Sequence, residues 1–248
     1  MTSIVIPFIP GPDNSFELRQ ALRSMQQNLQ FDFKPFVFSH EKPDWLRDDC
    51  FVFQERKRGM DLKFKDQLYK IHRACIMCHT SENFIYTYDD VYFLNPVSLQ
   101  ELKIPRAKQD LTKVKDWFVN SDAQANWKEV MKRTLLLLQQ KGAYIYNYET
   151  HLPRFFYKKS CINIFQEFKC LDVAYQFSTL YFNLLEKNPV LLSKYDFFKL
   201  GIYKPKSYQH ITRLAKRYKI LNYSENCYIE DMKKALRDLF PNKCKFEV

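Results

Sequence analysis

Glycine is scarce in this chain, four residues among 248, set against eleven prolines, and such a composition excludes low-complexity sequence. Long apolar runs are missing too. No stretch approaches the roughly 18 continuous apolar residues of a membrane-spanning helix. The opening MTSIVIPFIPGPDN lacks a basic n-region, and its apolar part is too short and proline-broken for a secretion signal, so a cytoplasmic protein is expected. Acidic residues fall well short of basic ones: 28 Asp and Glu against 39 Lys and Arg leave a formal charge of +11. That excess fits a polyanionic partner, either nucleic acid, an anionic lipid surface or nucleotide phosphates, or else a merely soluble basic surface.

What is present is a core. Apolar residues make up 46% and aromatic residues 17%, which excludes disorder and supports one sizeable domain. The cysteines (50, 75, 78, 161, 170, 227 and 244) are odd in number, and without a secretion signal they are expected as reduced thiols.

SIVIPFIP (3–10) is an apolar, β-branched run ending at Pro10-Gly11-Pro12, which predicts a buried strand and a turn. Asn14 with Glu17 at capping-box distance predicts a helix start, with Leu18, Ala21, Leu22, Met25 and Leu29 as its core stripe. Further strands are expected at 35–40, 50–55 and 83–88, with a helix over 62–79 between the last two. This alternation predicts an α/β fold with a mostly parallel sheet. Beyond it, helices are expected from Ser121 or Asp122 to Gly142, over Ile162–Asn188, at 211–219 and at 229–240, with a strand at 143–148. No repeat or linker divides the chain, so 1–248 is expected to be a single domain with a helical C-terminal portion.

Two stretches look chemical. Cys75-Ile-Met-Cys78-His79 has the spelling of a c-type haem attachment site, but that chemistry belongs outside the reducing cytosol. Leu68, Ile71, Cys75 and Cys78 recur at helical spacing, so these thiols read as small core residues. His72, Cys75, Cys78 and His79 do not have a usual zinc spacing.

The second stretch is ENFIYTYDDVYFLNP (82–96). A Phe/Tyr-rich strand stops at Asp89-Asp90, and an apolar run resumes at once. An ordinary turn would explain two Asp residues. The flanking runs imply instead that the acids interrupt buried structure, which is costly unless a cation or basic groups compensate them. Ligands of parallel α/β sheets gather beyond the strand C-termini, where these acids fall. A divalent ion joined to a diphosphate would satisfy both.

These residues resemble the central motif of GT-A-fold nucleotide-sugar glycosyltransferases, and more narrowly the Stealth-type sugar-phosphate transferases and their short relatives. IVIPFIPGPDNSFELRQALRSM, VFSHEKPDWL, the Asp89-Asp90 strand and NCYIEDMKKALRDLFPNKCKFE match that group's pieces in order. Pro10 and Tyr88 stand where the group carries an acidic residue (or, at Tyr88, Asn), and Glu230-Asp231 where it has Asn-Asp. The resemblance implies a GT-A-like single domain, its first 120 residues binding the nucleotide sugar and 121–248 the acceptor. It implies Mn²⁺ or Mg²⁺ at Asp89 and Asp90, and the nucleoside beside Pro7, Phe8, Gly11 and Asp13. It also places a His-x-Pro element at Thr150-His151-Leu152-Pro153.

His151 is thereby a candidate general base or leaving-group ligand, with Glu149 as the competing base. Asp90 serves catalysis as the main metal-binding carboxylate, with Asp89 as a further ligand or a support to it. Arg19 and Arg23, four apart on one helix, would be paired phosphate donors or else a solvated flank. Arg56, Arg58, Lys63 and Lys65 follow the third strand and would suit phosphate, or else are plain surface charge. The basic segments 113–115, 154–159, 204–206 and 212–219, with sixteen tyrosines, would suit a polyanionic acceptor such as a hydroxymethylated pyrimidine in DNA, or a polysaccharide at an anionic membrane. Sugar-1-phosphate transfer and a non-enzymatic nucleic-acid-binding module are the alternatives.

Overall fold

The computed structural model describes residues 1–56, 62–111, 125–185, 189–193 and 196–248. Strands β1 (Thr2–Pro7), β2 (Phe33–Ser39), β3 (Phe51–Phe53) and β4 (Asn83–Tyr86) are mutually parallel in the order β3-β2-β1-β4. β5 (Val91–Phe93) leaves this sheet directly after the Asp89-Asp90 turn. Short strands β6 (Arg106–Ala107), β7 (Gln109–Asp110) and β8 (Tyr146–Asn147) lead to β9 (Arg154–Tyr157), which closes the central sheet antiparallel to β4. After β10 (Val190–Leu191), β11 (Lys199–Ile202) and β12 (Ile220–Tyr223) form a second sheet in the order β11-β12-β5, with β12 antiparallel to β5.

Alternation along the strands divides the interior into two cores. Ile4, Ile6, Ile85 and Phe155 face one side, whereas Val5, Phe84, Tyr86 and Phe156 face the other. Helices α1 (Pro12–Asn28), α7 (Tyr208–Ala215) and α8 (Glu230–Leu239) cover the first side together with the second sheet. Helices α2 (Leu62–Ile76), α4 (Ala125–Gln140), α5 (Lys158–Glu167) and α6 (Phe177–Leu185) cover the second, while the short α3 (Leu99–Lys103) follows β5. Each fully buried Phe or Leu in these layers contributes about 1.5–3 kcal/mol.

Several expectations change. Asn14 is not the expected cap: Asp13, Asn14 and Ser15 are all left-handed (φ 57°, 52° and 57°), so the right-handed part of α1 begins only after Ser15, and the Asn14 carbonyl accepts from Trp45 Nε1 at 2.9 Å. Glu17 is therefore not a capping-box residue. The helix expected over Ile162–Asn188 is two helices, because the chain turns at Lys169 (φ 49°) so that α5 packs on α2 and α6 on α4. Only Tyr146–Asn147 of the 143–148 run is strand, and α2 stops at Ile76. The start expected at Ser121 or Asp122 lies outside the described residues. All seven cysteines are free; Cys75 is in the core as its spacing implied, whereas Cys78 is exposed.

Candidate active site

Asp89 and Asp90 form the turn between β4 and β5, at the C-terminal edge of the central sheet, and both are half-buried. Their surroundings disfavour charge. Burial, then Asp90 and Glu17, push the Asp89 carboxyl up to about 8. Burial and Glu17 push Asp90 up to about 6, against a hydrogen bond from Asn222 Nδ2 to Asp90 Oδ2 of 2.8 Å. Glu17 is raised by its own burial and accepts from Tyr223 Oη at 2.7 Å. Tyr223 stacks on Tyr92 (centroids 5.8 Å, 8° between planes), and their hydroxyls are 3.1 Å apart. The second sheet thus holds both Asp90 and Glu17 in place.

A lysine stands near each aspartate. Lys70 of α2 is buried, pairs with Asp66 at 2.7 Å, donates to the Phe8 carbonyl at 3.3 Å, and its charge favours ionised Asp89. Lys199 of β11 interacts with Asp90 and donates to the Thr150 carbonyl. Burial, then Arg154 and Lys108, lower the Lys199 ammonium to about 8.

His151 is exposed, left-handed (φ 49°), and its ring lies 5.2 Å from that of Tyr88, the residue preceding Asp89. Glu149 is held by Arg154 Nη2 at 3.1 Å and by the Thr179 N–H and hydroxyl at 3.3 Å each. Arg154 also donates to Tyr88 Oη at 2.5 Å and to the Tyr148 carbonyl at 3.1 Å. The structure therefore gathers Asp89, Asp90, Glu149 and His151 around Tyr88.

Other candidates are placed elsewhere. Arg23 forms a bidentate pair with Glu247 (Nε–Oε1 2.7 Å, Nη2–Oε2 2.8 Å), and Arg19 lies 3.8 Å from the same carboxylate with its guanidinium 4.7 Å over Trp45. These arginines anchor the C-terminal segment. Asp13 accepts from Tyr228 Oη at 3.2 Å and Lys233 Nζ at 2.5 Å, which hold its carboxyl below the usual range. Pro7 and Phe8 are buried in strand and core, and Gly11 is exposed with open space around it. Arg56 is exposed beyond β3 and Lys65 is half-buried on α2. Arg58 and the Lys63 side chain lie outside what is described.

Glu17, Lys70, Lys199, Asn222 and Tyr223 were not singled out as site residues in the sequence. Lys199 within FFKLGI and Asn222 within ILNY are polar residues inside apolar strands, a signal that marks buried polar function without naming its partner.

Among the described residues no three His, Cys, Asp or Glu side chains are grouped so as to hold a metal ion by themselves. A pair of neighbouring carboxylates nevertheless fits the way Mg²⁺ and Mn²⁺ are held beside phosphates, with water and diphosphate completing the shell. The raised Asp89 and Asp90 values come first from burial and then from neighbouring carboxylates, and a divalent charge bound there would offset both.

No family model and no curated protein matches this chain. Solved structures do. The galactosyltransferase LgtC, in complex with donor and acceptor sugar analogues, is 12% identical over 98% of both chains with a TM-score of 0.51. An active-site mutant of LgtC is 13% identical over 96% of this chain and 95% of its own, with a TM-score of 0.46. The fold is α/β with a mostly parallel central sheet, GT-A-like as in LgtC. Among the described residues no helix is long and apolar enough to cross a membrane.

Proposed function

We propose that this protein is a metal-dependent glycosyltransferase that moves a sugar from a nucleotide-sugar donor to an acceptor hydroxyl. The observation that carries the proposal is the half-buried pair Asp89-Asp90, with its raised pKa values, at the strand edge of a GT-A-like sheet. LgtC, which shares that fold, is a galactosyltransferase.

Asp89 and Asp90 would hold Mn²⁺ or Mg²⁺, and that ion, when bound, would neutralise diphosphate oxygens. Asn222 orients Asp90, and Tyr223 orients Glu17. Lys199, drawn to the Asp90 side and tied to Thr150, would meet the charge growing on the leaving diphosphate. His151 is exposed and would accept the acceptor hydroxyl's proton or hydrogen-bond the leaving group. Glu149, engaged by Arg154, would position that loop. Residues 1–248 would act as one domain, the first 120 mainly holding donor and the rest acceptor, with Lys199 and Asn222 reaching back to the donor side.

Exposed positive charge supports a polyanionic acceptor. Lys204, Lys206, Arg213, Lys216 and Arg217 are all exposed, which suits a polyanion such as DNA carrying a hydroxymethylated pyrimidine. The Stealth-like alternative, sugar-1-phosphate transfer, would be told apart by product mass. The test is a thermal-shift screen of nucleotide sugars with and without Mn²⁺, followed by donor turnover with Asp90→Asn. One donor stabilising the protein only with Mn²⁺, and turnover lost in the variant, would support the proposal. No nucleotide sugar binding under any condition would overturn it.

A further inference from the structure

A cavity of about 20 Å³ beside the acid turn is lined by Gln67, Tyr86, Tyr88, Glu149, Gln176 and Ser178, among others. Tyr86 is 1% exposed and Gln176 5% exposed, and among the described residues neither Tyr86 Oη nor Gln176 Nε2 has a hydrogen-bond partner. Buried polar groups almost always find partners, because leaving one unmade forfeits its hydration without return. The main chain at Gln176 is satisfied: its N–H donates to Thr134 Oγ1 at 2.9 Å, and its carbonyl accepts from the Leu180 N–H at 2.9 Å. The side-chain Nε2 is left over, on a wall it shares with another orphaned group.

The position matters as much as the chemistry. Tyr88 lines this cavity, precedes Asp89 in the chain, and lies 5.2 Å from the His151 ring. Tyr86 and Tyr88 meet edge to face at 5.5 Å. Glu149 lines the same space, with its charge already matched by Arg154.

We propose that this cavity receives one hydroxyl of the sugar being transferred, and so sets donor specificity; the inference rests on the donor reading above. A guest here must accept a hydrogen bond from the Gln176 amide and exchange one with the Tyr86 phenol. A hydroxyl does both, and the Glu149 carboxylate offers a further acceptor. The volume admits one water-sized group, so a single hydroxyl enters while the ring stays outside. A sugar without that hydroxyl would leave the orphaned groups unmatched and be rejected.

The test uses the full chain with Mn²⁺ and three probes, UDP-glucose, GDP-mannose and dTDP-glucose, each compared with its free nucleotide by calorimetry. The quantity read is the ratio of nucleotide-sugar affinity to nucleotide affinity. Gln176→Leu and Tyr86→Phe should each lower that ratio about tenfold for the probe that binds, with nucleotide affinity unchanged. Both variants should melt at or above the wild-type temperature, because an orphaned buried polar group has been removed. An unchanged ratio in both variants would mean that the cavity holds a structural water, overturning this inference and leaving the donor reading intact. Failure of every nucleotide and nucleotide sugar to bind the wild-type protein would overturn both.

Discussion

Asn222 Nδ2 donates to Asp90 Oδ2 at 2.8 Å, so a residue 132 positions further along the chain fixes the carboxylate on which the proposed chemistry depends. The contact exists because β12 pairs antiparallel with β5, placing Asn222 opposite Val91. It also stabilises the ionised form of Asp90. Asn222→Leu should weaken Mn²⁺ affinity about tenfold, the scale expected when a partner of a ligating carboxylate is lost. Calorimetric titration of Mn²⁺ checks this; unchanged affinity would show that Asp90 needs no such support.

The acid pair gives the protein a pH signature. Asp89 and Asp90 have folded values raised to about 8 and about 6 from 3.8. Raised carboxyls bind protons more tightly in the folded state. Their stabilising contribution is complete below about pH 4 and disappears as pH rises through 6 and then 8. Without metal, Asp89→Asn should therefore melt higher than wild type at pH 8.5 and match it near pH 4. A lower melting temperature at pH 8.5 would contradict this account.

Metal binding should follow the same protons in reverse. A divalent ion binds carboxylates only after they ionise, so its affinity rises with pH through the 6–8 window. The rise in melting temperature caused by 1 mM Mn²⁺ (a concentration of about 1 mM suits sites of moderate affinity) should be larger at pH 8 than at pH 6. Asp89→Asn should flatten that dependence.

Lys199 carries its charge below about pH 8 and loses it above. If its ammonium meets the leaving diphosphate, donor turnover should fall on the alkaline side of pH 8. Lys199→Met should reduce kcat about 10²-fold, on the scale of removing one donor from a charge-stabilising site, and should abolish that alkaline limb. A variant with normal kcat and an unchanged profile would remove Lys199 from the mechanism.

Arg23 and Glu247 make a stability prediction. Their side chains are 17% and 3% exposed, and Glu247 also accepts from the Cys244 N–H at 3.0 Å. Arg23→Ala would leave that carboxylate without its main cation, at a cost of about 2–4 kcal/mol. Urea titration should show this loss with nucleotide affinity retained once the protein is folded. Loss of nucleotide affinity instead would return Arg23 to the phosphate site.

Much of the central sheet was legible because its strands are buried on both faces and so stand out as apolar runs: SIVIP, PFVFS and NFIY all became strands. The Asp89-Asp90 turn was legible for the same reason, as a polar interruption of buried sequence. Glu17 was misread because its spacing from Asn14 imitates a local cap, whereas three left-handed residues rotate the helix entry and turn Glu17 toward Tyr223. Arg19 and Arg23 were correctly paired on one face, but their shared anion is the protein's own Glu247, more than two hundred residues away.

Local patterning alone thus determined that an apolar α/β core forms and that two acids cap its fourth strand, since hydrophobic period and turn chemistry act over a few residues. Which side chains stand around those acids was decided only in three dimensions. Glu17, Lys70, Lys199 and Asn222 converge through strand pairings and helix packings between distant segments, and no short-range rule encodes such contacts.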